Sequence, residues 1–206
     1  LSLLPFAIFA AVVLAFGAMW WFSPDQRRRR LLSGTEVVSI ASLRPGQRAR
    51  ITGRVAVQEG LRSPLSGTRC AAYQLHVEEH AGKNNWRSVA TDDQCEPFAI
   101  TDASGTCVVD PRGQHLLLTF DESANSGTFD DPTPAEAAVY ERYGVKSTSI
   151  LGLNRQLRIR EATLAHDEAV TLLGLVDITE VGGVPTLSLV PDPEHGLVVS
   201  DHSDLT

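Results

Sequence analysis

Pro97–Val109 reads P-F-A-I-T-D-A-S-G-T-C-V-V, and this stretch sets the fold class. The run Pro97–Thr101 is apolar, Asp102-Ala103-Ser104-Gly105 is a turn, and Thr106–Val109 is a β-branched return. That grammar is a β-hairpin, with Asp102 suited to accept backbone N–H bonds across the turn. The same pattern recurs upstream. Cys70–Glu79 alternates Tyr73, Leu75 and Val77 with Gln74, His76 and Glu78, and Gly82-Lys83-Asn84-Asn85 then turns into a return strand at Trp86–Ala90. In Arg48–Val57, polar Arg50, Thr52 and Arg54 alternate with Ile51 and Val55, while Gly53 inside the run signals a bulge or a close backbone approach. Leu61–Gly67 is a loop with Pro and Gly at its corners.

Downstream of the hairpin, Asp110-Pro111-Arg112-Gly113 predicts a turn, His115–Phe120 a strand and Asp121–Asp131 a flexible loop. Thr133-Pro134-Ala135-Glu136 is a helix start, with a cap, a proline at the first position and the Glu of a capping box. Val139 and Tyr143 share a face of that helix, and Gly144 suits its end. Leu157–Ala162, Ala169–Ile178, Thr186–Val190 and Leu197–Ser200 follow as strands, with Gly182-Gly183 as a turn. The expected fold is mainly β (a β-rich α+β chain): a small OB-like barrel or sandwich with one inserted helix.

The N-terminus is different in kind. Leu1–Phe22 carries no charge, and a helix of that length reaches about 33 Å, enough for a hydrocarbon core of about 30 Å. Trp20 and Trp21 close the run at headgroup level, and Arg27, Arg28, Arg29 and Arg30 flank it. A cleaved signal peptide fits less well, because no charge precedes the run and Met19-Trp20-Trp21-Phe22 is bulky where cleavage would fall. The expected organisation is therefore a transmembrane helix at 1–22, a basic juxtamembrane connector at 23–47, a β-domain at 48–200 and a polar tail at 201–206. Within residues 23–47, Gly34–Leu43 is expected to be a juxtamembrane connector or a short amphipathic helix. The positive-inside bias places the domain on the cytoplasmic face of a single-pass protein. Ala7, Ala11 and Ala15 form a small-residue ladder that can pack a second helix.

The chain has 206 residues, with 18 Lys+Arg against 25 Asp+Glu. Four arginines and one aspartate lie before residue 31, so the remainder carries 14 basic and 24 acidic residues, a net of −10. Such a body repels phosphate, which argues against nucleic acid as a partner. It is also repelled by an anionic membrane surface, so it is expected to stand off while the arginines stay at the headgroups. Three cysteines cannot staple a chain of this length.

Several motifs together resemble a known family. They are L-R-S-P-L-S-G-T-R-C-A-A-Y at Leu61–Tyr73, V-E-E at Val77–Glu79, Trp86, P-F-A-I-T-D-A-S-G at Pro97–Gly105 and V-D-P at Val109–Pro111. R-I-R-E-A-T-L at Arg158–Leu164 leads into V-T-L-L-G-L-V at Val170–Val176. This order resembles the GIDE, or BAM (beside-a-membrane), domain family, over roughly Arg48–Ser200. The resemblance implies a domain held next to a membrane, found in a mitochondrial E3 ubiquitin ligase and in bacterial membrane proteins. The ligase activity of that family resides in a RING finger. A RING needs eight zinc ligands in paired short spacings, and Cys70, Cys95 and Cys107 provide no C-x-x-C. Family members often carry a second span after the domain, so this sequence is expected to be a fragment or a single-span variant.

Catalytic patterns fit poorly. Ser63, Ser66 and Ser104 lie in no G-x-S-x-G elbow. His76 and His80 point to one face of a strand about 13 Å apart, too far to share a metal ion, and a solvated strand edge explains them. Arg158 and Arg160 are expected on one solvated face, with Glu161 adjoining. No cofactor, metal or catalytic residue is assigned. The expected role is a membrane-anchored, non-catalytic binding or assembly domain. Its candidate contact loops are Ser63, Pro64, Leu65, Ser66 and Gly67, and the turn Asp102, Ser104 and Gly105. The expected partners are membrane lipid and a protein partner or a second copy of the chain. The alternatives are a component of a ubiquitin-ligase-like system with its RING elsewhere, and a structural subunit of a membrane complex.

Overall fold

The protein is described by a computed structural model covering residues 30–57, 59–83, 85–112, 118, 132–146 and 155–200, with the backbone alone at 122–126 and 200. The expected span at 1–22, Trp20, Trp21, Arg27, Arg28, Arg29, the strand predicted at His115–Phe120 (apart from Leu118) and the tail at 201–206 lie outside the described residues. No helix among the described residues is long and apolar enough to cross a membrane.

The fold is mainly β. Its strands are β1 (Arg48–Ala56), β2 (Leu61–Arg62), β3 (Arg69–His80), β4 (Trp86–Cys95), β5 (Phe98–Asp102), β6 (Gly105–Val109), β7 (Glu122–Ser126), β8 (Leu157–Ala165), β9 (Ala169–Val181), β10 (Val184–Val190) and β11 (Val198–Ser200). One helix, α1 (Pro134–Arg142), lies between β7 and β8. Its capping box forms as the sequence predicts: the Thr133 hydroxyl accepts from the Glu136 N–H, and the Glu136 carboxylate accepts from the Thr133 N–H. Gly144 follows the helix with φ +65, the left-handed conformation that ends helices.

The first sheet closes on itself in its pairing. β1 pairs with β5, β5 with β6, β6 with β10 in parallel, β10 with β9, and β9 returns to β1. Ile51, Val55, Ile100, Val109, Leu172, Val176 and Leu189 fill the space these strands enclose. Gly53 lies where β1 changes partner from β9 to β5, and a Cβ there would stand 2.5 Å from the Thr101 carbonyl oxygen. The close backbone approach predicted for Gly53 is therefore present.

The second sheet runs β2-β3-β8-β7, with β4 also on β3. Its core joins Tyr73, Leu75 and Val77 of β3 to Leu157 and Ile159 of β8 and to Val139 and Tyr140 of α1. The helix thus covers the second sheet. Asp92 on β4 ties it down, accepting from the Tyr73 hydroxyl at 2.8 Å and the Tyr143 hydroxyl at 2.5 Å. Burial raises the Asp92 pKa, but hydrogen bonds from Tyr143, Gln94 and Tyr73 outweigh it and hold the carboxyl below its ordinary value.

Six expectations change. Leu61–Arg62, expected as the start of a loop, form β2 on β3. The return strand expected at Trp86–Ala90 runs on to Cys95, because β4 keeps pairing with β3 beyond Ala90. Residues 122–126 form β7 on β8, where a flexible loop was expected. His76 and His80 lie on an interior strand flanked by β4 and β8, not on a sheet edge, and His80 meets Trp86 edge-on. The face shared by Arg158 and Arg160 is half-buried rather than solvated: Arg158 stacks over Trp86 and pairs with Glu78 at 2.5 Å, and the adjoining Glu161 is 1% exposed. Finally, of the two alternatives for Gly34–Leu43, the amphipathic helix is absent, and the segment is docked on the sheet. Residues 30–33 are helical, Val37 bridges to Arg50, and a 3-10 turn follows at Ile40–Ser42. Leu32, Ile40 and Leu43 are buried.

Candidate functional site

The two candidate loops have different jobs. The β5–β6 turn holds residues 40 and 41. Asp102 Oδ1 accepts from the Ser104 N–H at 2.7 Å, the Ser104 hydroxyl at 2.6 Å and the Gly105 N–H at 2.9 Å. Its Oδ2 accepts from the Ile40 N–H at 2.9 Å, and Ser104 Oγ accepts from the Ala41 N–H at 3.0 Å. Slight burial raises the Asp102 pKa, but the bonds from Ser104, Ile40 and Gly105 prevail and hold it below the usual carboxylate range. The predicted Asx turn is present, and it also clamps the segment that precedes β1.

A second clamp is Arg50, which is 6% exposed rather than solvated. Its guanidinium donates to the carbonyls of Leu32 (2.8 Å) and Thr35 (3.3 Å), capping the end of the 30–33 helical turn. Leu32 packs on Leu173 and Val198. Arg30 opens this turn and is exposed.

The Ser63–Gly67 loop is organised around Glu161. The Leu65 and Ser66 N–H groups donate to its two carboxylate oxygens at 2.8 and 3.0 Å. Ser63 is buried and bonds to the Ser66 hydroxyl at 2.7 Å, Pro64 is half-buried, and Gly67 turns the chain at φ +68. These consecutive N–H groups form an anion-binding turn filled by the chain's own carboxylate.

The structure adds a cleft of about 530 Å³, lined by Thr52–Ala56 of β1, Thr101–Ala103 at the β5–β6 turn, and His166 and Asp167 at the β8–β9 turn. Of the candidate residues, Asp102 lines it; Ser63–Gly67, Ser104 and Gly105 do not. His166 Nδ1 accepts from the Val57 N–H at 3.1 Å, which leaves Nε2 as the ring nitrogen that carries hydrogen. Arg54 donates to the Asp167 carbonyl at 2.7 Å and pairs with its carboxylate at 3.4 Å. The sequence offered one cue to this cleft, the polar His166-Asp167 pair between two apolar strands. Asp167 takes φ +67, a turn conformation that Asp tolerates.

Asp192, Glu194 and His195 place potential ligand atoms within 4.8 Å of one another. Arg48 already meets Asp192 at 2.9 Å and Glu194 at 3.5 Å, so a guanidinium serves as the cation of that cluster. The thiols are held neutral. Burial pushes Cys70 up to about 11 and Cys95 up to about 12, and it also raises Cys107. Thiols so raised are weak nucleophiles at neutral pH.

Compared with known families, characterised proteins and solved structures, the chain matches none.

Proposed function

We propose that this chain is a membrane-tethered, non-catalytic binding or assembly domain of the GIDE/BAM type, built on an OB-like barrel. The observation that carries the proposal is the docking of residues 30–43 on the β-domain through Arg50, Asp102, Ser104 and the Leu32 contact. The apolar run ends at Phe22, and only seven residues separate it from this docked segment. A tether of seven residues, at most about 25 Å long, keeps the domain beside its anchor. A module that meets a partner beside a membrane needs that restraint.

The pairing ring of five strands favours an OB-like frame over a sandwich, and the loops of such a frame are its usual contact surface. Here the β5–β6 and β8–β9 turns border the cleft. The cleft offers threonine hydroxyls, one imidazole, the Asp102 carboxylate and an internally neutralised Arg54–Asp167 pair. That mixture suits a polypeptide segment better than a polyanion, in keeping with the net charge of the body. The cytoplasmic face is the proposed side, from the arginines that follow the apolar run.

A photo-activated cross-linker at Ala103, which is exposed beside the cleft, tests the binding role in membranes containing the full chain. A discrete adduct weakened by Thr52→Trp is expected; labelling of bulk lipid and solvent alone overturns the role. Retention after an alkaline carbonate wash tests the tether, and release overturns it. Protease access from the exterior side only would sink the cytoplasmic placement.

A further inference from the structure

We propose that the tip of the β9–β10 hairpin, Ile178–Pro185, is a wedge that contacts the interfacial region of the membrane in which the chain is anchored; this rests on the tether proposed above. Among the described residues four large hydrophobics are exposed, and three of them cluster here: Ile178 (55%), Val181 (45%) and Val184 (61%). β1 stops pairing with β9 at Leu175, and β10 meets β6 only at Ser188 and Leu189. Beyond those points the hairpin is a two-stranded ribbon, an arrangement of marginal stability in water.

The register decides what kind of surface suits this ribbon. Val181 pairs with Val184 on one face, and Ile178 is exposed on the other, opposite Leu187, which is half-buried against the first-sheet core, because side chains alternate along a strand. A folded partner covers one face of a ribbon, whereas a fluid interface surrounds both. Gly182 and Gly183, at φ +60 and +81, form the two-residue turn and put no side chain at the apex, so the valines lead. Glu180 is the only charge between Ile178 and Pro185. The tip can therefore approach a surface that the acidic body avoids.

The reach is adequate. Leu32 is fixed against Leu173, and Leu173 lies eight residues from Val181, about 26 Å along the strand. The seven residues 23–29 extend at most about 25 Å. One surface can therefore accommodate both the end of the apolar run and the tip. The ribbon's open backbone edges would be costly in hydrocarbon, which limits the tip to the hydrated interface.

The test uses the full chain in phosphatidylcholine vesicles. An environment-sensitive fluorophore is placed at Val184→Cys or, as control, at Lys83→Cys on the β3–β4 turn of the second sheet, both in a Cys95→Ser background. Nitroxide lipids labelled near the headgroup are expected to quench position 184 at least about twofold more than position 83, with the excess lost in Val181→Asp, as insertion of an apolar tip requires. Equal quenching at the two sites, in chains retained after carbonate wash, overturns the wedge and leaves the tether standing. Release by carbonate overturns the tether itself. Cross-linking of two Val184→Cys copies without lipid quenching assigns the tip to a second copy and also overturns the wedge.

Discussion

Asp102→Asn is the most informative single change, because one carboxylate holds both the β5–β6 turn and the segment leading into β1. Four donors converge on it, three at Oδ1 and the Ile40 N–H at Oδ2. An amide of the same shape has one oxygen. If that oxygen keeps the turn, the NH2 faces the Ile40 N–H and leaves a part-buried donor unpaired. An unpaired donor costs about 1–3 kcal/mol, and the remaining bonds weaken as they lose the charge, so the expected loss is about 2 kcal/mol. For a domain of this size that is a fall of about 4–8 °C in Tm. The pH dependence has a definite sign. The folded-state pKa lies below the unfolded value, so the carboxylate's contribution is present above about pH 4 and disappears as pH falls through the folded pKa. Urea unfolding of the full chain in detergent, followed by far-UV circular dichroism from pH 7 to pH 3, measures the difference between parent and variant. A gap near about 2 kcal/mol at pH 7 that narrows as pH falls below about 4 is expected. A gap under about 0.5 kcal/mol at pH 7, the level of an ordinary surface change, or one unchanged by pH, would refute the clamp.

Gly53→Ala should destabilise by about 1–3 kcal/mol in the same assay, since the new methyl would meet the Thr101 carbonyl oxygen at 2.5 Å and Ile100 Cγ1 at 2.8 Å. Glu161→Gln should loosen the Ser63–Gly67 loop by turning an NH2 towards the Leu65 or Ser66 N–H, costing about 2 kcal/mol. Faster nicking of that loop under limited proteolysis is the readout, and parental resistance would count against the anion-binding turn. Cys70, Cys95 and Cys107 should react slowly with iodoacetamide at pH 8 in the native chain and rapidly in urea, since burial raises all three. Fast native labelling of Cys70 would contradict its burial.

Local chemistry made the hairpin at Pro97–Val109, the capping box at Thr133 and the close approach at Gly53 legible, because each is encoded within a few neighbouring residues. What the sequence concealed depends on distant partners. Arg50 looks like one more polar residue in an alternating strand, until residues 30–38 fold back over it and help take it out of water. Glu161 reads as a surface charge until a loop almost 100 residues earlier presents two N–H groups to it. β4 continues through Thr91-Asp92-Asp93-Gln94, which has no apolar alternation, because pairing with β3 and the two tyrosine hydroxyls hold it there. The cleft draws on three separated stretches of chain, so no single motif marked it.

The pairing of β1 with β9 carries a cost in time. Thr52 meets Thr171 across 119 positions of chain. At synthesis rates of about 5–20 residues per second, β1 leaves the ribosome about 6–24 s before the strand that completes its edge. Through that interval its Ile51 and Val55 side chains and its outer backbone edge lack their final neighbour. The parallel contact of β6 with β10 is delayed in the same way. Ring closure is thus a late, non-local event of the slow kind, and holding the early strands apart from other nascent chains is a requirement set by the order of the strands.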